Sequence, residues 1–524
     1  MDPEVFAEAH KFDPEVPFRA STTHIHHTWA KTFHSRPELY IEPHTLPEIQ
    51  KLVRLARKCR RRIVVVGCGH SPSNLTCTSS WMVNLDNYNR ILNVDTEKKR
   101  IVMESGIRLR DLNAQAKEYG LTMPNLGSIH DQAIAGAIAT ATHGSTLRHG
   151  LMSESVKSFR IVLSNGEVKR CSADENEELF RAGLVSLGAL GILTEIEFEM
   201  TEATNIEWTQ TLKPLKWVLD RWEGEESLWK DKEFVRVWWL PYMKRAVVWS
   251  ASKTDKPERK PESSWYGGSV GFHTYHILLW LSNKVPRILP WIEWFVFGMQ
   301  YGFSDDNVTS AVEPQRTGLL MNCLYSQFVN EWALPVEKGP EAITRLSKWL
   351  NREPGSGIPL TTRDSMCMRL WRPFLQDPPC VDRYYEAFEW LMKELGARPH
   401  WAKNFTYVSK SDIAGMYGDN LTQYLKVRDE CDPEGVFVGA WHRKYIIPDS
   451  KEFYVCEEKE VARTHAAMGG ENWFGEVVSR PRTADEKTRL LESIEGAEHD
   501  DLKDARTHGN PNEGWTGTRV FDKM

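Results

Sequence analysis

The chain has 524 residues, a formal net charge of -6 at pH 7 and 41% hydrophobic residues, enough for two or more domains with their own cores. The acidic balance excludes a surface built for nucleic acid. The nine cysteines are odd in number and contain no C-x-x-C pair, so we predict neither a disulfide framework nor a metal site, and we expect a reducing compartment. The first ten residues are acidic and predict no cleaved targeting signal.

The first elements lead to a glycine-rich turn. Apolar residues at helical spacing predict a helix over residues 46–60, and a β-branched run predicts a buried strand at Ile63–Val66. Residues 67–71 then read Gly-Cys-Gly-His-Ser, which we call the glycine turn. Glycines let the backbone turn sharply and aim amide N–H groups at an anion such as a pyrophosphate. Pro72 replaces the third glycine of a Rossmann fingerprint, so an ordinary strand-to-loop turn stays open as the alternative.

The following segments alternate between strand and helix signals, which predicts an α+β fold. Short apolar runs at 81–85, 91–94 and 101–103 favour strands, and residues 109–119 favour a helix that ends at Gly120. Residues 124–145 are then dominated by glycine, alanine, serine and threonine. Such small side chains suit the lining of a large planar cofactor, although a tightly packed helix in a core has the same composition.

Two further strand signals close the first domain near residue 200. Asn165-Gly166 is a strong two-residue hairpin signal between alternating segments. Residues 192–200 alternate strictly between apolar and acidic side chains, as a half-buried strand does. Between them, residues 186–191 form another glycine-rich segment where a ligand can approach the backbone closely.

The second half of the chain predicts another mixed domain. Strand signals lie at 208–212, 234–240 and 246–249, and helix signals lie at 342–350 and 384–395. Residues 275–299 are the most apolar segment, but charged residues and prolines interrupt them before the roughly 20 apolar residues that a spanning helix needs. We therefore predict one or two amphipathic helices that pack in the core or lie on a bilayer surface.

Six motifs together carry a resemblance to a known family. Their order along the chain resembles the sugar-1,4-lactone oxidase group of the vanillyl-alcohol oxidase flavoproteins. The resemblance implies a two-part FAD-binding domain at residues 1–200, a mixed α/β substrate cap domain at 201–445, and FAD bound covalently through His70. Residues 446–524 are charged and predict a weakly ordered tail. The motifs lie at residues 66–73, 124–129, 134–136, 142–145, 186–191 and 400–403.

The resemblance also implies which residues form the site. Lys403, His400 and Arg363 are expected on the substrate side, where relatives carry a Val-Glu-Val-Arg segment. Here that region is short, and Thr361 stands where the glutamate is expected. Glu331 is another carboxylate available to enter the pocket, with a solvated acid as the favoured alternative. The residues expected to bind FAD are Val66, Gly67, Cys68, Gly69, His70, Ser71, Pro124, Gly127, Ser128, Gly136, Thr140, Thr142, His143, Gly144 and Ile192.

The expected activity follows from the same resemblance. An aldono-1,4-lactone such as D-arabinono-1,4-lactone would be oxidised by FAD and molecular oxygen to the dehydro-lactone D-erythroascorbate and hydrogen peroxide. The alternative is a flavin-binding, membrane-associated protein that has lost lactone oxidation through the shortened segment. Fungal relatives imply a mitochondrial membrane location and a membrane surface as a partner, and nucleic acid is not expected as one.

Overall fold

The computed structural model describes residues 7, 9, 11–224, 227–261, 269–321, 327–359, 381–453 and 462–463. The predicted tail at 446–524 lies largely outside this part of the chain. Thr361 and Arg363 also lie outside it. The architecture mixes helices with several sheets, as the α+β prediction requires.

The first unit contains most of the strands that build the central site. Its elements, in chain order, are β1 (Ala20–Ser21), β2 (His26–His27), β3 (Phe33–Ser35), β4 (Leu39–Ile41), α1 (Leu46–Lys58), β5 (Ile63–Val66), β6 (Trp81–Asn84), β7 (Ile91–Asp95), β8 (Arg100–Glu104), α2 (Leu109–Lys117), β9 (Leu121–Thr122), α3 (Ile134–Ala139), β10 (Val156–Val162), β11 (Val168–Ser172), α4 (Glu177–Gly183), β12 (Ile192–Glu199) and β13 (Thr201–Glu202).

The second unit begins with a long strand and ends in helices. Its elements are β14 (Asn205–Pro214), α5 (Leu215–Asp220), α6 (Leu228–Asp231), β15 (Phe234–Leu240), β16 (Arg245–Thr254), α7 (Ser269–Lys284), α8 (Leu289–Tyr301), β17 (Val308–Pro314), α9 (Gln315–Gly318), β18 (Trp332–Ala333), α10 (Gly339–Leu350), α11 (Val381–Glu394), β19 (Arg398–Pro399), α12 (Lys410–Tyr417), α13 (Asp419–Cys431), α14 (Ala440–Tyr445) and β20 (Ala462–Arg463). Short 3-10 helices lie at Asn74–Thr76, Met152–Ser155, Pro286–Ile288 and Val336–Lys338.

The first unit is built mainly on two sheets, beside the strand pair β9–β13 and the small sheet β2-β3-β20. The smaller sheet has the order β1-β4-β6-β5, with β4 and β5 both parallel to β6. The larger sheet is antiparallel with the order β11-β10-β12-β8-β7. The hairpin predicted at Asn165-Gly166 joins β10 to β11, and Gly166 takes the positive φ of 84° that such a turn requires.

Helix α1 begins where the sequence predicts and ends earlier. The Thr45 hydroxyl accepts the Glu48 N–H as the N-cap, and Pro47 lies in the first turn. The predicted end at residue 60 is wrong, because the helix ends at Lys58 and Arg60 adopts a left-handed φ of 55°. The apolar face of α1 is buried against the smaller sheet, which fixes the entry into β5.

The second unit, which we call the cap, is built on an antiparallel sheet with helices beside it. Its order is β15-β16-β14-β17, and the three strands predicted in this region are all present. The apolar segment predicted as one or two amphipathic helices forms α7 and α8, whose contacting faces bury Tyr275, Leu279, Ile292 and Val296. None of the described helices has the length and apolarity to cross a bilayer.

The chain returns to the first unit near its described end. The Ile63 N–H bonds to the Val436 carbonyl, and the Arg62 guanidinium bonds to the Val438 carbonyl. Val436 and Phe437 belong to the same apolar cluster as α1 and β5. Residues late in the chain therefore help to build the walls around β5.

Candidate functional site

A cavity opens at the end of β5, and we call it the central cavity. Its lining extends from β5 and the glycine turn to α3 and the start of β12. Late and distant residues that the sequence did not indicate also line it, among them Asp86, Phe437 and His442. Of the predicted cofactor residues, the lining includes Val66, Gly67, Cys68, Gly69, His70, Ser71, Gly136, Thr140 and Ile192.

The glycine turn has the geometry that its sequence predicts. Gly69 adopts φ +65°, and a Cβ there would lie 3.0 Å from His26 Cε1 and 3.1 Å from the His27 carbonyl oxygen. A side chain would therefore be strained by the backbone and crowded by the neighbouring strand. The small residues at this turn leave the end of β5 open to a ligand.

His70 faces the central cavity with its ring nitrogens free of described partners. The ring lies 4.7 Å from the Trp29 ring, and no described residue makes a hydrogen bond to its nitrogens. Burial, followed by the positive charge of Lys403, lowers the pKa of His70 to about 3. The imidazole is therefore neutral at physiological pH and keeps a nucleophilic nitrogen.

Helix α3 satisfies both interpretations of the small-residue segment. Ile134, Ala137 and Ile138 are buried in the core. Gly136 and Thr140 face the central cavity, and a Cβ added to Gly136 would meet nothing within 4 Å. The core and the ligand wall are thus opposite faces of one helix.

The other predicted cofactor residues lie along the seam with the cap. Gln315 donates to the Pro124 carbonyl over 3.3 Å, and the Met321 N–H donates to the Ser128 carbonyl over 2.8 Å. A Cβ on Gly127 would lie 3.1 Å from Thr142 Cγ2. A Cβ on Gly144 would overlap Asn125, so only glycine fits there.

Four polar residues meet at this seam, and we call them the His–Glu–Lys cluster: His143, Glu331, His400 and Lys403. Glu331 Oε1 lies 2.6 Å from His143 Nε2, and Glu331 Oε2 lies 3.2 Å from Lys403 Nζ. The His143 and His400 rings lie 5.6 Å apart. Glu331 is thus the shared partner of two basic groups, which favours the alternative that it enters the site over a solvated acid.

The hydrogen bonds of His143 fix its protonation state. Its Nδ1 lies 3.0 Å from the Gly144 carbonyl oxygen, while its Nε2 faces the Glu331 carboxylate. Since both nitrogens face acceptors, both donate, which requires the imidazolium form. The Glu331 hydrogen bond raises the pKa of His143 against the opposing effect of burial.

Glu331 and His400 take the complementary states. Burial opposes ionisation of Glu331, but Lys403 and the His143 hydrogen bond outweigh it and hold its pKa well below the usual range. Burial lowers the pKa of His400 to about 4. The Ala402 N–H donates to His400 Nδ1 over 3.1 Å, which leaves the proton of this neutral ring on Nε2.

Backbone pairing holds the cluster together. Strands β18 and β19 pair Trp332 with Pro399, and the His400 N–H bonds to the Glu331 carbonyl over 2.8 Å. The Asn404 side chain donates to the Pro72 carbonyl over 3.2 Å, which fastens the segment after Lys403 to the glycine turn. The cluster therefore lies close to His70. Lys403 and His400 remain the residues predicted on the substrate side.

Trp401 lies between His400 and Lys403 in the chain but outside the cluster. Its ring packs in the core, 4.9 Å from the Tyr417 ring. Arg363, predicted on the substrate side, lies outside the described residues and stays a prediction.

His143, Glu331 and His400 also offer three ligand atoms within 4.8 Å of one another. Such a set suits a divalent cation in other proteins. Here the Lys403 ammonium and the His143 imidazolium already pair with the carboxylate. We therefore interpret the cluster as an ion-paired network.

Comparisons with known families decide what this site belongs to. Residues 37–172 match the family model described as an FAD binding domain. Residues 196–366 and 359–445 match the model of D-arabinono-1,4-lactone oxidase. A Yarrowia lipolytica D-arabinono-1,4-lactone oxidase is 35% identical and aligns with 80% of this chain and 98% of its own length. The chain belongs to the D-arabinono-1,4-lactone oxidase family.

Other relatives agree with this family membership. A Neurospora crassa protein with a provisional D-arabinono-1,4-lactone oxidase name is 45% identical over 88% of this chain and 93% of its own length. A solved cholesterol oxidase from Brevibacterium sterolicum is 13% identical and matches with a TM-score of 0.64 over 83% of this chain and 99% of that chain. This structural likeness shows that the chain shares the fold of that cholesterol oxidase, and the family model assigns an FAD binding domain to residues 37–172.

Proposed function

We propose that this chain oxidises D-arabinono-1,4-lactone with molecular oxygen, giving the dehydro-lactone D-erythroascorbate and hydrogen peroxide. The observation that carries the proposal is the His–Glu–Lys cluster, which the Asn404 hydrogen bond fastens beside the turn that carries His70. The family supplies the lactone as the substrate class. An intact ion-paired cluster beside the cofactor turn favours an active oxidase over a flavin protein without this activity.

The central cavity fits FAD. Its walls offer the crowded glycine turn for a pyrophosphate and the small-residue face of α3 for a flat ring. Bound FAD would supply the two-electron oxidation of the alcohol carbon, with oxygen as the final electron acceptor. The residues that would hold FAD are those of the glycine turn, α3 and Ile192.

The cluster supplies positive charge to the reacting alcohol. As its proton leaves to solvent, the hydroxyl oxygen becomes negative, and the Lys403 ammonium is placed to stabilise it. Glu331 is a poor proton acceptor because its pKa is lowered, so its role is to orient Lys403 and His143. Neutral His400 donates only through Nε2–H, which suits a hydrogen bond to a lactone oxygen.

A direct assay tests this function. We expect purified, flavin-loaded protein to release one hydrogen peroxide per D-arabinono-1,4-lactone oxidised. A fully flavin-loaded sample that releases no peroxide with the lactone would contradict the proposal.

We also propose that His70 carries FAD covalently. Three features support this link: the ring is neutral, it lines the central cavity, and its nitrogens have no hydrogen-bond partner among the described residues. A neutral imidazole is a competent nucleophile toward an electrophilic methyl position on the flavin ring.

We propose further that α7 and α8 rest on a membrane surface, with the mitochondrial membrane as the location that the family resemblance implies. Exposed apolar side chains cluster on this helical pair, including Trp291 at 50% and Trp294 at 45% exposure. Lys284 is the last residue of α7 and Arg287 lies in the link to α8, and both are exposed, so they can meet anionic headgroups. Tryptophan and basic residues together are typical of interfacial helices.

Vesicle binding tests the membrane proposal. We expect the double variant Trp291→Ser/Trp294→Ser to lose most binding to vesicles that contain anionic phospholipid, since each indole buries a large apolar area in the interface. Co-sedimentation measures the bound fraction. The matched control is Leu92→Ser/Tyr119→Ser, which removes two exposed apolar side chains from the first unit. Equal binding by both double variants would contradict the proposal.

A further inference from the structure

Arg236 is a deeply placed cation whose described partners are all neutral. It lies on β15, where Nε donates to Ser145 Oγ over 2.5 Å and Nη2 donates to the Leu319 carbonyl. Its guanidinium carbon lies 4.8 Å from the centre of the Trp249 ring. None of the described residues places a carboxylate in contact with it.

The guanidinium has lost hydration without gaining a counterion from the described residues. Burial lowers the pKa of Arg236 to about 10, and no acidic residue in the described part of the chain opposes that effect. The residue still has partly exposed surface, and Nη1 has no hydrogen bond to a described residue. A buried cation with an open donor is stabilised most by a negatively charged ligand.

Arg236 is fastened to the loop that carries the His143 imidazolium. Ser145 is two residues after His143, and its backbone carbonyl accepts the Val235 N–H over 2.8 Å. The Ser145 hydroxyl then meets the guanidinium itself. Among the described residues, Glu331 therefore pairs with His143 and Lys403, while Arg236, joined to the His143 loop through Ser145, adds a positive charge that no carboxylate contacts.

The proposed reaction creates a negative charge from a neutral substrate. Oxidation of the alcohol carbon beside the lactone carbonyl removes a hydride and a hydroxyl proton and leaves a 2-oxo lactone. Loss of the proton from the next carbon to solvent then moves an electron pair into a C=C bond and leaves the monoanion of an ene-diol, whose single negative charge is delocalised over its oxygens. This second step consumes no oxidant or reductant.

We propose that Arg236 forms an anion-binding subsite that binds an ionised enol lactone, the monoanion of the ene-diol product, more tightly than a neutral lactone. The inference rests on the proposed function for the identity of the ligand. Tight binding of the anion makes the product a competitive inhibitor of the neutral substrate.

A pair of small lactones tests the subsite without turnover. Tetronate is an enol lactone anion at neutral pH, and methyl tetronate is its neutral methyl ether. We expect the flavin-loaded wild-type protein to bind tetronate at least about tenfold more tightly, as one charge-assisted hydrogen bond allows. Perturbation of the flavin absorbance measures both affinities. Equal affinity for the two ligands in the wild-type protein would overturn the proposal.

Variants locate the effect at Arg236. We expect Arg236→Gln to reduce the preference to below about threefold, within the range of a lost charged hydrogen bond. Arg236→Lys keeps the charge and should retain part of the preference. The matched control is Arg259→Gln, which removes an exposed arginine bonded to Ser310 in the same sheet. An unchanged preference in folded Arg236→Gln protein would overturn the assignment.

Chemical protection decides the case if Arg236→Gln does not fold. In the wild-type protein, tetronate should protect Arg236 from modification by phenylglyoxal, and methyl tetronate should not. Peptide mass spectrometry measures the extent of modification at Arg236. Modification of Arg236 despite bound tetronate would overturn the proposal. Preference for tetronate in a protein that releases no peroxide would refute only the oxidase activity, whereas equal binding in an active oxidase would refute only this subsite.

Discussion

Replacing Lys403 by methionine is expected to lower lactone turnover by about 100- to 1000-fold, the usual effect of losing one donor that stabilises a developing oxyanion. Methionine keeps much of the side-chain volume but removes the ammonium that lies 3.2 Å from Glu331 Oε2. The loss should fall mainly on kcat, because the negative charge develops only as the alcohol reacts. Steady-state peroxide release, normalised to flavin content, measures it.

A matched lysine separates this effect from a general loss of charge. Lys426 is 65% exposed on α13 and makes only long ion pairs of 3.9 Å. We expect Lys426→Met to keep the wild-type turnover. If Lys403→Met protein holds its flavin and turns over at the wild-type rate, Lys403 is not the group that stabilises the alkoxide.

Replacing His70 by alanine is expected to release the flavin from the protein on acid denaturation. Alanine has no nucleophilic nitrogen, while the other walls of the central cavity remain to hold FAD non-covalently. Loss of the link also lowers the potential of the bound flavin, so we expect turnover to fall on the order of tenfold, equivalent to a barrier about 1.4 kcal/mol higher. Yellow colour in the acid precipitate and in the supernatant measures the attachment.

The exposed histidine His44 provides the control. Only its backbone N–H has a described hydrogen bond, to Glu48, so His44→Ala should keep acid-stable colour. Colour that stays with precipitated His70→Ala protein would mean that another residue carries the flavin. Colour that leaves the wild-type protein would show that no link forms.

The glycine turn could be predicted from sequence because its determinants are local. A β-branched strand followed by Gly-Cys-Gly-His needs only backbone sterics to predict a sharp turn with an imidazole at its tip. The structure confirms both the strand and the positive φ of Gly69. The end of a helix is harder to predict, because several backbone conformations compete there. Helix α1 ends at Lys58, and Arg60 adopts a left-handed conformation.

Glu331 could not be assigned in the same way, because its partners are remote in sequence. His143 is 188 residues away, and the strand pair β18–β19 is what brings Glu331 to His400. A single carboxylate before a tryptophan has no periodic pattern that separates it from a solvated acid. Arg236 was missed for a related reason, since its environment depends on Ser145 and Leu319 from other elements.

The neighbouring residues of one motif also differ in how far sequence determines them. Lys403 and His400 lie in the His–Glu–Lys cluster, as expected, while Trp401 between them packs into an aromatic core with Tyr417 and Trp441. A motif therefore predicts that a segment is functional without showing which side each side chain faces.

Anaerobic mixing of D-arabinono-1,4-lactone with the flavin-loaded protein tests the central claim most directly, because it isolates electron transfer from lactone to flavin from the later reaction with oxygen. We predict that the visible absorption of the oxidised flavin disappears on addition of the lactone and returns when oxygen is admitted. A fully loaded protein whose visible absorption is unchanged by saturating lactone would contradict the account.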